Sequence, residues 1–294
     1  HPNPAAENPP DTVLSTSASP PSGDLLLPED FQYLGAFRLP GDSGGSNWEY
    51  SGRGLTYFPD GDQAGSGDGF PGSLFGVGHD HHQFVSEISI PVPVNARNLE
   101  DLPTAETLQP FTDITNNMFG ETDLPRLGIQ YLPAQGQENT GKLHFVHGQH
   151  FQDFEPSNGW SETDLSQPNP EGPWLVNGYT NYITSDYVFE IPEDWASALP
   201  GKPRLATGRF REGVWAGGGP ALVAIQPWAE GDPPAAGARL QNARLLLLFG
   251  IQEPGLTDII SDETMQMNGY LEPDHWIDGA WLSTESKAAV VFVG

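Results

Sequence analysis

Six of the eight histidines fall in two short groups. His79, His81 and His82 flank Asp80 just after the apolar stretch 74–78 (LFGVG). His144, His147 and His150 lie in and just beyond a matching stretch, 143–148 (LHFVHG). Neutral imidazoles with a carboxylate suit zinc or another transition metal, so the two groups would form a metal site if they converged. Strand alternation limits this, because His144 and His147 point to opposite faces of a strand. At most two of that trio then share a site unless the chain turns. The plainer reading is structural histidines, hydrogen-bonded in loops.

A second candidate is a Gly-rich loop carrying Asp60, Asp62 and Asp68 (DGDQAGSGDG). Calcium takes six to eight oxygen ligands from such flexible segments. An EF-hand is excluded, since Ala64 stands where its third ligand belongs and no Glu follows at the twelfth position. An irregular calcium loop and a solvated acidic turn both stay open. Asp258, Asp262 and Glu263 form a weaker acidic group.

Trp48, Trp160, Trp215 and Trp276 sit beside polar residues in expected loops. Flat rings next to carboxylates and amides stack on sugar faces while the polar groups take up hydroxyls. The alternative is that each fills a gap between structural units; Trp174 and Trp281, inside strands, read as core. Carboxylate pairs for glycosidic chemistry are available (Glu87, Asp153, Glu155, Glu190), but with 39 acidic residues such a pair carries no specificity. The run 41–45 (GDSGG) matches the nucleophile segment of chymotrypsin-like proteases, yet only His1 precedes Ser43, whereas that fold places His and Asp first. A Gly-rich turn explains it better. No phosphate loop, dinucleotide fingerprint or HExxH helix is present.

The elements that must position these residues repeat. An apolar strand, a polar loop and a second apolar strand ending in glycine occur four times. First strands are expected at 55–58, 129–132, 221–225 and 280–283, and second strands at 74–78, 143–148, 245–250 and 288–294. Residues 84–90 and 187–191 (FVSEISI and YVFEI), each stopped by proline, read as third strands. A β-meander repeated around an axis is the sequence form of a β-propeller. Equivalent strand ends of neighbouring blades share a face, which is how the two histidine groups would meet. The spacing favours a propeller or incomplete propeller of about four to five blades with long loops; 31–39 (FQYLGAFRL) is the expected strand that closes it. The final unit stops before a third strand, so the chain is expected to continue or to borrow a strand from a neighbour.

Composition bounds the rest. Gly and Pro number 35 and 29 in 294 residues, so frequent turns and no long helices are expected. With 12 basic and 39 acidic residues the formal charge is −27, which repels nucleic acid and anionic lipid. There is no cysteine and no apolar run long enough for a spanning helix. Residues 1–28 are rich in Pro, Ser and Ala and read as an extended arm, the rest (29–294) as the propeller-like domain. The arm is either a flexible leader, a glycosylated stalk or a device for self-association. Together with the start at His1, these features point to an exported chain.

The phrases GLTYFPDG, LFGVGHD, VSEISIP and AWLSTESKAAVVFVG resemble those of uncharacterised secreted bacterial proteins with β-propeller-like repeats. The resemblance spans about residues 31–294. It implies a propeller-like fold, an extracellular location and further strands after AVVFVG in full-length relatives, and it transfers no active site. The expected function is therefore a non-enzymatic extracellular subunit or adhesin that self-assembles or binds surface glycans. A polysaccharide lyase or hydrolase, and a carbohydrate- or metal-binding module, are the alternatives.

Overall fold

The computed structural model describes residues 24–63, 70–150, 155–209, 217–249, 267–271 and 275–293. A short β1 (Asp24–Leu25) precedes the first blade, which is β2 (Leu55–Phe58), β3 (Ser73–Val77), β4 (Val85–Ser89) and β5 (Thr107–Thr112). The second blade is β6 (Arg126–Leu132), β7 (Lys142–Gly148), β8 (Asn158–Glu162) and β9 (Glu171–Val176). The third uses β10 (Tyr187–Glu190), β11 (Leu205–Gly208), β12 (Ala221–Ile225) and β14 (Arg244–Leu248). Its β13 (Arg239–Leu240) instead pairs in parallel with β9, stitching the third blade to the second. The fourth sheet is β15 (Asp278–Ser283), β16 (Lys287–Val293) and β1. The chain is thus nearly all β, with four small sheets in a ring, a four-bladed propeller arrangement. One α-helix, α1 (Glu193–Ala198), appears among the described residues.

Strands in such a ring are covered on both faces by neighbouring blades, so they read as continuous apolar runs rather than alternating ones. All five residues of β12 (ALVAI) are buried. Three apolar clusters mark three blade interfaces. Phe75, Val77 and Val85 meet Leu127, Ile129 and Phe145 between blades one and two. Trp160, Trp174 and Val146 meet Val188, Leu205 and Val223 between two and three. Tyr187, Phe189 and Leu222 meet Trp281, Val290 and Phe292 between three and four. At the fourth interface the N–H of Leu55 donates to Asp278 Oδ2 across 3.2 Å. Gly54 enters β2 at φ +51°, where a Cβ would stand 2.7 Å from Val77 Cγ2. Only glycine fits that close, left-handed approach.

Several expected elements take other places. The innermost strands are β2, β6, β10 and β15, so 187–191, expected as a third strand, begins the third blade; 221–225, expected as a first strand, is its third, and 245–250, expected as a second, supplies its outermost strand β14. Both runs are predominantly apolar, and periodicity does not distinguish an inner strand from an outer one. Residues 31–39 form no strand; Ala36 and Arg38 make isolated bridges to Val94 and Thr104 beside blade one. The strand added to the last blade is β1, from within the arm, with Asp24 and Leu25 in parallel register against Lys287 and Ala288. Lys287 also pairs with Asp30 at 2.6 Å. The region 151–171 contains β8, so the second blade carries its third strand there and 172–178 supplies the fourth.

Candidate functional site

Antiparallel order brings the β3–β4, β5–β6 and β7–β8 connections to one rim of the ring. A cavity of about 450 Å³ opens there between blades one and two. His81, His82, Gln83 and Phe84 line it from the β3–β4 loop. Asp113, Thr115, Asn117, Phe119 and Glu121 line it from the β5–β6 loop, and His147 from the end of β7. The two histidine groups therefore do reach one cavity, through His81, His82 and His147.

His147 is 7 % exposed and stacks on Phe119, ring centroids 4.0 Å apart and 9° from parallel. Its ring nitrogens make no hydrogen bond to the described residues. Burial pushes its pKa down to about 4; the nearby Asp113 carboxylate opposes this and Arg209 adds to it. The ring is thus neutral at pH 7, offering one donor and one acceptor to the cavity. His82 Nδ1 lies 2.9 Å from Ser46 Oγ. The Asp113 carboxylate is occupied by its own loop, accepting from Thr115 N and Oγ1 and from Asn117 N at 2.6–2.9 Å. Asn116 and Asn117 both take φ near +50° in that turn. Gln83 also sits at φ +54°, its amide donating to Asp80 O at 2.6 Å. Such strain persists where the surroundings hold it, and it aims the loop at the cavity.

The remaining histidines diverge. His79 takes the His81 N–H on Nδ1 at 3.1 Å and packs edge-on to Tyr50. Asp80 is paired with Arg53 at 2.7 Å. His144 turns the other way, into the interface with blade three, between Trp160 and Trp228. Both of its ring nitrogens are buried without a partner, and burial lowers its pKa to about 3. His150 donates its backbone N–H to Asp123 O, away from the cavity wall. Among the described residues no three His, Asp or Glu side chains are arranged to hold a metal ion. Asp60 and Asp62 lie in the turn after β2, at the opposite rim, and Asp68 falls outside the described residues. Trp48 packs on Phe111 at 4.7 Å, and Trp276 on Phe292 at 6.1 Å. Trp215 also lies outside the described residues. Trp160 is not in a loop as expected: it lies within β8, buried in the core cluster between blades two and three, and its side chain also lines a cavity at the other end of blade two.

A buried charge cluster beside the mouth of the ring was not legible from spacing. Asp186, 3 % exposed, lies 3.5 Å from Arg126 Nη1 and 3.4 Å from Arg209 Nε. Arg209 is fully buried, and Arg126 Nη1 also meets His275 Nε2 at 2.6 Å. A Cβ on Gly148 would fall 2.8 Å from Asp186 Oδ1, so glycine there admits the carboxylate. Both guanidinium groups have further contacts, and the cluster serves to fix the first residues of β6 and β10. No protein-family model matches this sequence, and no curated protein or solved structure is detectably similar to it.

Proposed function

We propose that the protein is a secreted, non-enzymatic extracellular subunit or adhesin that holds a surface glycan in the rim cavity between blades one and two. The observation that carries this reading is His147: a neutral, nearly buried imidazole stacked on Phe119 in the wall of a polar cavity. Hydroxyl groups of a sugar both donate and accept, matching a neutral imidazole better than a charged one. General acid–base catalysis near neutrality calls for a pKa near the working pH. His147 lies well below it, which favours binding over the lyase or hydrolase alternative.

Self-association has separate support. β1 is only two residues long, comes from the arm and adds to the last blade in parallel. Exchange of such a short terminal strand between copies is an inexpensive route to assembly. A glycan array tests the main reading, comparing the wild type with His147→Phe. Retention of one class of oligosaccharide by the wild type and its loss in the variant are expected. No retained glycan, or an unchanged set, refutes the reading.

A further inference from the structure

A second cavity, about 340 Å³, lies at the opposite end of the same blade. In the β6–β7 pair Arg126 faces Gly148 at the upper rim, and Leu132 faces Lys142 at the lower. Six residue steps separate those ends, about 20 Å at strand rise. The lower cavity is lined by Trp160, Lys142 and the carboxylates of Glu138, Glu162, Glu171 and Asp232. Beside these carboxylates stands Trp160. Its side chain is 3 % exposed and is packed on Trp174 at 4.7 Å. The indole N–H makes no hydrogen bond to the described residues, and the side chain lines the cavity. A buried indole normally finds a partner for that N–H.

We infer that this lower cavity is a second saccharide site, selective for neutral or amine-bearing sugars over uronic acids. Trp160 N–H donates to a ligand hydroxyl or ring oxygen. The carboxylates accept from hydroxyls or from a sugar ammonium. Lys142 is already engaged, bonded to Thr140 Oγ1 at 2.6 Å and to both Glu162 oxygens at 3.1–3.2 Å. Four carboxylates against this single ammonium leave the cavity negative, so an anionic sugar is repelled. Glu138 Oε1, buried without a partner, and a pKa raised by burial reinforce the demand for a donor at the cavity wall. The site is independent of the His147 cavity. If both are occupied, sites on opposite rims let one molecule bridge two glycan chains, which raises avidity without any new contact.

The test is calorimetric titration of the full chain at pH 7 with glucosamine trimer, cellotriose and trigalacturonate. Expected are saturable binding of at least one of the first two and binding of trigalacturonate at least tenfold weaker. Trp160→Phe keeps an aromatic ring in the core and removes the N–H; Glu162→Gln leaves the core untouched. Each is expected to weaken binding tenfold or more, while His147→Phe leaves this site unaltered. The inference is overturned if neither neutral nor amine trimer binds at millimolar concentration, or if trigalacturonate binds best. It is equally overturned if binding survives both Trp160→Phe and Glu162→Gln, or disappears only in His147→Phe. That last pattern would leave the rim cavity standing alone.

Discussion

The backbone N–H of Leu55 donates to Asp278 Oδ2, and that hydrogen bond spans the seam between the first blade and the last. The other three interfaces each have a cluster of fully buried apolar side chains. β15 and β16 contribute none that is fully buried. Burial of apolar area is the main stabilising contribution, so the ring is weakest at this seam. Local opening then follows contact density. Amides of β15 and β16 are expected to exchange hydrogen about 100-fold faster than those of β7 and β11, the factor for roughly 3 kcal/mol of lower opening free energy. Native-state exchange read by mass spectrometry checks this; equal protection in all four blades contradicts it.

Asp186 stands between two guanidinium groups in a nearly dry site. Its removal leaves buried positive charge without compensation. Asp186→Ala is expected to cost about 3–5 kcal/mol, in the range for breaking a buried ion pair from one side. Urea denaturation measures it, and a loss below about 1 kcal/mol would show the cluster to be solvated, as exposed pairs are.

The all-β, propeller-like repeat was legible because many of the apolar runs end at glycine or proline, and strands cover 55–58, 73–77 and 142–148, within a residue of expectation; the number of blades was legible only as four to five. Strand order within the third blade was not. YVFEI and ALVAI are both predominantly apolar, and which is innermost depends on packing around the axis rather than on either run. The meeting of His81 and His82 with His147 followed from equivalent strand ends sharing a rim. The opposite turn of His144 followed from alternation. Phe119 and Asp113 escaped notice because they sit in a loop, where no periodicity marks them. Asp186 and Arg209 are 23 positions apart in a sequence with 39 acidic residues, so nothing singled out the pair before folding joined them.

Stability is expected to fall on mild acidification. His144 and His147 are held near 3 and 4 by burial, against 6.5 for an exposed imidazole. Below pH 6.5 the unfolded chain takes up protons that the folded chain refuses, so both histidines withdraw stability as the pH drops. Asp278 acts in the opposite sense. Burial raises its pKa to about 6 from 3.8, outweighing the N–H groups of Gly279 and Leu55 that favour the ionised form. Its contribution therefore grows as the pH falls from 6 toward 4. At about 1.4 kcal/mol per unit, two histidines outweigh one aspartate, and these groups together remove roughly 4 kcal/mol between pH 7 and pH 4. Chemical denaturation at both values checks the net loss. His144→Leu removes two unpaired buried nitrogens and is expected to stay within about 1 kcal/mol of the wild type at pH 7 while losing less at pH 4. A wild type equally stable at both values, or a variant that loses just as much, contradicts the assignment.

The most direct measurement is of the His147 ring itself. The ¹⁵N shifts of its imidazole, followed by NMR during titration with the oligosaccharide class selected on the array, report any hydroxyl that bonds to it. A saturable shift at His147, a ring that stays neutral between pH 5 and 8, and no change at the buried His144 are expected. A glycan that binds while the His147 nitrogens remain unmoved would contradict the placement of the ligand in the rim cavity.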